Sequence, residues 1–553
     1  MKKNILFVAS ECVPFIKTGG LADVAGALPK NIDPEEFDVR VVMPNYQAIP
    51  EKFRNEFQYL THFYMDLGGL GMVYVGVMTY EYEGITYYFI DNQYYFGGPK
   101  PYGDIHWDIE KFCYFSKAAL SILPTVGFRP DVIHCHDWQT GVVPVFLNTL
   151  FQGNEFYRGI RTVMTVHNLR FQGVWDIPTL KTYTGLPDEV FTMDCMEFNR
   201  DANMLKGGLT MSDRITTVSD TYAKEITYQF YGEGLDGLMR AKEDILRGIV
   251  NGIDYDVYDP NTDDCIDTKF STRNYLKGKA ANKVALQKEL GLPEDPDVMM
   301  IAMVTRLTDQ KGLDLVNWVL EKMVDGPIQL VVVGTGDPAY EAMFRDMAEK
   351  HPDKVYAYIK FNEAFAHKVY AGADAMLMPS LFEPCGLTQL ISLRYGTVPI
   401  VRETGGLRDT VQNYNDEEQS GTGFSFPNYN ADEMYDTIVR AEELYYHNRK
   451  AWNAMVKRGM TTDYSWGSSA RKYEELYREL YAQTQADIAK WIEAEAAAKE
   501  AWLAAEAAWL AEMEAAAQAE AEAAALALAL AQEEAAAKAA AEAEEAAEEP
   551  AAE

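Results

Sequence analysis

Cysteine is scarce in this chain. Its six cysteines stand singly, with no CxxC pair and no regular spacing. That excludes a disulfide framework or a zinc ribbon and fits a reducing, cytoplasmic setting. Long apolar runs are missing as well. No stretch reaches the ~20 apolar residues of a membrane span. The opening MKKNILFVAS is basic then apolar, but Glu11 and Pro14 cut it off after about seven apolar or small residues, too few for a secretory core. It reads as a first buried strand. Positive charge is in short supply: 50 Lys and Arg stand against 84 Asp and Glu, a net charge of −34. This excludes general nucleic-acid binding. A Walker loop is excluded too, because no GxxxxGK[ST] spacing occurs.

The charge is unevenly spread. From Ala486 onward 16 Glu and one Asp face three Lys, so −14 of the total belongs to the tail and −20 to the rest. A site for an anionic substrate must therefore gather its cations locally. At 553 residues the chain exceeds one core, and two large α/β domains plus a tail fit its pattern. The expected boundaries are 1–253, 254–482 and 483–553.

The first part alternates strand, loop and helix, which predicts a mostly parallel, doubly wound sheet. Strands are expected at 4–10, 39–44, 131–136, 161–166, 214–218 and 246–250. Residues 45–105, rich in Tyr, Gly and Asp, read as an inserted, partly exposed region. After the first strand, Lys17-Thr18-Gly19-Gly20 puts a cation and two glycines just before a helix, where backbone can approach a phosphate closely. His134, Cys135 and His136 invite a metal reading. Alternation along a strand turns Cys135 away from both histidines, and no second ligand pair lies at a zinc-like spacing. Asp137, just past that strand, is the better placed polar residue. His167-Asn168 closes the next strand, and Asn251-Gly252-Ile253-Asp254 is a turn signal.

A second α/β series begins near 298. The loop 305–312 carries Arg306 and Lys311 at the carboxyl end of a strand, a candidate diphosphate clamp. Gly334-Thr335-Gly336-Asp337-Pro338-Ala339 resembles half a dinucleotide fingerprint. The stretch 374–393 is a buried strand, a turn punctuated by Pro384 and Gly386, and a helical pattern with Leu387, Leu390, Ile391 and Leu393 in phase. Glu383, Cys385 and Thr388 fall at the carboxyl end of that strand, where ligands sit in open α/β sheets. Thr404-Gly405-Gly406-Leu407 then echoes residues 18–21, and two doubly wound halves, each with such a loop, suggest two Rossmann-like domains facing a cleft. Residues 429–482 are helical by pattern, anchored by Trp466 and Tyr473. The Ala/Glu-rich tail is built of strong helix formers. It reads as a solvated helix ending at Pro550. Trp502 and Trp509, with Leu503 and Leu510, share a spacing of seven, which leaves self-association or docking to a protein partner open.

Seven segments in order carry a family resemblance: KTGGLADV (17–24), HCHDWQT (134–140), TVHN (165–168), NGID (251–254), TRLTDQKG (305–312), EPCGLTQ (383–389) and TGGLRDTV (404–411). Over roughly residues 1–480 the chain resembles the bacterial glycogen synthases and plant starch synthases. The resemblance implies a GT-B fold: two Rossmann-like doubly wound domains facing a cleft, here with an Ala/Glu-rich helical C-terminal tail. It implies transfer of glucose from ADP-glucose to the non-reducing end of an α-1,4-glucan with retention, without a cofactor or a metal.

Carried over by residue, it implies Lys17 as a diphosphate ligand, with Gly19 and Gly20 letting the loop approach the donor. Arg306 and Lys311 would stabilise the leaving ADP, and Glu383 would bind the transferred glucose. Cys385, Gly386 and Leu387 would contact that glucose or the donor through the turn. Thr388 would add a phosphate hydrogen bond, and Asn251 would contact substrate. Asp137 and His167 would lie on the sugar side, the backbone carbonyl at His167 supporting an oxocarbenium-like centre. Phe361 stands where the family usually has a tyrosine against adenine. Ile391 stands where related retaining transferases often carry a second glutamate. The competing readings are a GT-B transferase using UDP-glucose and a catalytically silent glucan-binding scaffold.

Overall fold

A computed structural model describes residues 2–360 and 362–547. Contacts divide the chain into two units, Met1–Tyr481 and Ala482–Glu553.

The first unit is built on two large sheets and holds a third of three short strands, Val174–Asp176, Asp201–Asn203 and Glu197–Phe198. The larger has nine strands in the order Leu246–Gly248, Arg214–Thr217, Arg161–Val166, Val132–His136, Lys3–Val8, Phe37–Pro44, Ile85–Asp91, Met72–Tyr82, Gln58–Asp66. The first seven run parallel. Their apolar runs, such as Ile5-Leu6-Phe7-Val8, are wholly buried, as expected of strands covered on both faces. The last two strands are antiparallel. Residues 45–105 are therefore an extension of the main sheet and not an insertion beside it: Val41 pairs with Tyr87, and Tyr87, Tyr88, Phe89 and Ile90 are buried. Only the outermost strand, Gln58–Asp66, is mostly exposed. The first strand stops at Val8, two residues short of the expected end.

The second large sheet has six parallel strands in the order Val355–Tyr358, Ile328–Val333, Met299–Val304, Ala375–Met378, Val398–Arg402, Phe424–Phe426. In chain order this is 3-2-1-4-5-6, with the direction of winding reversing between Met299–Val304 and Ala375–Met378. The nine-stranded sheet reverses in the same way between Lys3–Val8 and Val132–His136. Each reversal opens a crevice beyond the carboxyl ends of the strands, the general ligand position in such sheets.

Each large sheet has its own apolar core. Two helices, Ala431–His447 and Arg449–Thr461, cover the second. The last helix, Trp466–Ala547, begins in the first core, which takes in Trp466, Ala470, Tyr473, Leu476, Tyr477 and Leu480. The expected end of the tail at Pro550 lies outside the described residues. No helix is long and apolar enough to cross a membrane among the described residues.

Candidate active site

The four loops that leave the two switch points surround one cleft of about 1530 Å³. That exceeds the roughly 300–1,000 Å³ of a single small-molecule pocket and gives room for two substrates. Lys17, Gly19, Gly20, Asp137, His167, Asn251, Arg306, Lys311, Glu383, Cys385, Gly386, Leu387 and Thr388 all line it. Phe361 lies outside the described residues.

The loop after Lys3–Val8 is shaped by Glu11, which sequence reading used only as the end of an apolar run. It is buried and lines the cleft, and its Oε2 accepts the Thr18 amide at 2.5 Å. Burial pushes its carboxyl above the usual range, against the pull of bonds from Thr18 and Gly19. This bond delivers Gly19 and Gly20 to the start of helix Gly20–Asn31, which has no side-chain cap. Its free amides are a place for an anion. Lys17 pairs with Asp23 at 2.8 Å and with Glu363 of the second sheet's half at 3.4 Å. Burial pulls its ammonium down, but the two carboxylates outweigh that and hold its pKa above the usual lysine value.

Asp137 follows Val132–His136 with φ 55°, an uncommon left-handed conformation for a non-glycine residue. Its Oδ1 accepts the His167 amide at 2.7 Å. The signal in sequence was a carboxylate one residue past a strand; the partner, 30 residues away, was not readable. Burial raises the Asp137 pKa to about 7, while the amides of His167 and Asn168 pull it down. Burial lowers that of His167 to about 3, so this imidazole is neutral at working pH and is no general acid. Its Nε2 lies 3.0 Å from His136 Nδ1. His134 bonds Tyr477 at 2.7 Å and Thr165 at 2.5 Å, which gives it a core role. The acceptor on Asn251, Oδ1, is buried with no bonding partner among the described residues, ready for a ligand donor.

In the second sheet's half, Arg306 is exposed on the cleft wall and has no ion-pair partner among the described residues. Lys311 Nζ donates to Glu383 Oε2 at 2.5 Å, and Ser380 Oγ donates to the same oxygen at 3.0 Å. Glu383 is buried. Both bonds go to Oε2, which leaves Oε1 to accept from a substrate hydroxyl. Burial raises the Cys385 pKa to about 12, so its thiol stays protonated and is no nucleophile. Thr388 Oγ1 donates to the Val304 carbonyl at 3.4 Å, tying the loops at the switch point together.

The second Thr-Gly-Gly-Leu does not do what the first does. Residues 404–407 are absent from the cleft wall. The Gly406 amide donates to the Glu383 carbonyl at 3.1 Å, and Glu225 Oε1 accepts from Thr404 Oγ1 at 2.9 Å and from the Gly405 amide at 3.1 Å. The loop is a bed under Glu383. The likeness between the two loops is one of letters and not of surroundings.

Asp137 carries a prediction with opposite signs for stability and rate. Its carboxyl is harder to ionise in the fold, so the stability it contributes is complete below its unfolded value near 3.8 and is lost as pH rises through about 7. Asp137→Asn should therefore raise the melting temperature at pH 8 more than at pH 5. The ionised carboxylate is the better acceptor for the His167 amide, so kcat/KM should rise with pH through about 7 in the parent. The variant should lose that limb and about tenfold in rate through misplacement of the 167–168 loop. Thermal melts and a pH–rate profile check both.

Two doubly wound sheets with their switch points on one cation-lined cleft make up the GT-B glycosyltransferase fold. Comparison with known proteins narrows this. Residues 4–241 match the starch synthase catalytic domain and residues 284–458 match glycosyl transferases group 1. Glycogen synthase of Lachnospira eligens is 60% identical over 478 residues, 86% of this chain and 100% of that protein. Glycogen synthase of Bacillus anthracis is 51% identical over 478 residues, 86% of this chain and 99% of that one. The catalytic domain of starch synthase IV from Arabidopsis thaliana, solved bound to ADP and acarbose, superposes with TM-score 0.78 at 32% identity, covering 87% of this chain and 100% of that one. The chain belongs to the glycogen synthase and starch synthase family.

Proposed function

We infer how this chain's own residues carry out the family's reaction. The chain elongates an α-1,4-glucan from ADP-glucose. The observation that supports the reading best is the convergence of Lys17, Arg306, Lys311 and Glu383 on one cleft, although 366 positions separate the first from the last.

The ADP diphosphate lies between the 17–20 loop and the 305–312 loop. Arg306 and Lys311 compensate the charge that grows on the β-phosphate as the glycosidic bond breaks. This is preorganised electrostatic catalysis, strongest where water is excluded. The Gly19–Gly20 helix start and Thr388 add neutral donors. Glu383 accepts from the transferred glucose, with Cys385, Gly386 and Leu387 walling it in. Asn251 Oδ1 accepts from a substrate group. The His167 carbonyl, held by Asp137, faces the developing positive charge on the sugar. The acceptor's terminal hydroxyl attacks from the side the phosphate leaves and passes its proton to the departing phosphate oxygen, which releases ADP and retains configuration. Ile391, apolar and on the cleft wall, supplies no second carboxylate.

The experiment is turnover of ADP-glucose and UDP-glucose with a maltooligosaccharide primer, with the anomer of the product read by NMR. ADP preference and an α-linked product are expected; a strong UDP preference would overturn the donor assignment.

We place the chain in the cytoplasm, a reading that six free cysteines support. The tail stands outside both family matches. It is an element for self-association or for a protein partner. Truncation after Gln485 should leave transfer to soluble primers within about twofold of the parent, since none of the cleft residues lies beyond Ile391. Initial rates on maltooligosaccharide check this; a large loss would make the tail part of the catalytic fold.

A further inference from the structure

The tail is polar in composition, yet between Ile492 and Met513 its large apolar side chains share one side of the helix, while Leu526 and Leu530 further on fall on the other. At 100° per residue, Ile492, Trp502, Leu503, Trp509, Leu510 and Met513 fall within an arc of about 120°. The narrower seam inside that arc repeats by alternating steps of four and three: 488, 492, 495, 499, 502, 506, 509 and 513. This is the spacing of a coiled-coil interface. All six residues are roughly half or more exposed, from Leu503 at 49% to Trp502 at 62%. Together they offer on the order of 700–800 Å² of apolar side chain per chain, close to the ~800 Å² per partner of a standard interface. Left in water, such a stripe costs free energy that a matching stripe would recover.

The charges on the seam say what covers it. Lys499 interrupts the apolar positions, and Glu495 and Glu506 flank it four and seven residues away. In a parallel pair of identical helices each seam residue meets its own copy. Lys499 would face Lys499, and each glutamate would face itself. In an antiparallel pair the seam runs in reverse, and Lys499 comes within reach of a glutamate of the partner. The remaining surface of the tail is acidic, −14 over its length, which makes a second acidic helix a poor partner except where the apolar stripe and these charges match.

We propose that the tail is an antiparallel self-association element, which pairs two copies of this chain through the stripe centred on Trp502. The buried charges lower its affinity and fix its orientation, as polar seam residues do in coiled coils. The long-range repulsion between two acidic tails is screened by salt, so association strengthens from low salt to 0.15 M.

The test is the mass of the full chain by light scattering over a range of protein concentration. The full chain is expected to reach twice the monomer mass. The chain truncated after Gln485, and a W502E/W509E variant with unchanged helix content, are expected to stay monomeric. A full chain that remains monomeric, or dimers that survive truncation, would overturn the proposal. Orientation is read from Ile492→Cys in the full chain under mild oxidation, with the parent as control. An antiparallel pair holds the two introduced thiols many residues apart, so no crosslink beyond the parent's is expected. A covalent dimer would show a parallel pair instead.

Discussion

Lys311→Ala is expected to lower kcat by about 10²–10³-fold, the loss typical when one preorganised donor to a developing anion is removed. The lysine has two tasks in the cleft. Its charge faces the departing diphosphate, and its Nζ bonds Glu383 Oε2 at 2.5 Å. Removing it leaves a buried carboxylate with only Ser380 on that oxygen. Breaking such a pair from one side costs about 3–5 kcal/mol of stability when the site is dry; here the lysine side chain keeps 15% exposure, so the low end applies. The two tasks separate in the double variant Lys311→Ala with Glu383→Gln. Neutralising the carboxyl should return most of the lost stability and none of the lost rate. If the double variant recovered rate along with stability, Lys311 would be a support for Glu383 and no more.

Gly405→Ala should be nearly as damaging, although this glycine does not line the cleft. Its φ is 45°, and an added Cβ would stand 1.9 Å from the Glu383 carbonyl oxygen. The methyl has backbone in front of it, so the peptide of Glu383 must move. A shift of about 1 Å in a positioned group costs on the order of 10²-fold in rate, and the strained backbone adds about 1–2 kcal/mol of destabilisation. Gly84→Ala is the control: its φ is 79° and nothing lies within 4 Å of an added Cβ. It should carry the conformational cost without the loss of rate. Equal rates for both variants would show that residues 404–407 do not hold Glu383.

Much of the site was legible because its residues sit at strand ends. Arg306, Lys311, Glu383 and Asp137 all follow buried apolar runs, and a parallel sheet delivers such positions to one edge. What joins them was not legible. The switch points depend on strand order, which is set by tertiary pairing and leaves no local mark. The strand Gln58–Asp66 was hidden because it is the sheet edge and buries little, and its inner neighbour Met72–Tyr82 because aromatics sit on both faces and weaken the alternation. Glu11 was missed because its partner is a backbone amide seven residues on in the same loop, a contact set by how the loop folds. The place of the 404–407 loop under Glu383 was not legible because its sequence matches residues 18–21 while its neighbours differ. In each case the residue was visible and its contact was not.

The central claim is that Lys17, Arg306 and Lys311, drawn from two sheets, hold one diphosphate. Calorimetric titration of ADP into the parent and into Lys17→Ala, Arg306→Ala and Lys311→Ala tests it most directly. Each single variant should bind ADP at least about tenfold more weakly, a difference of about 1.4 kcal/mol, while maltooligosaccharide affinity is unchanged. Parental ADP affinity in all three variants would contradict the account.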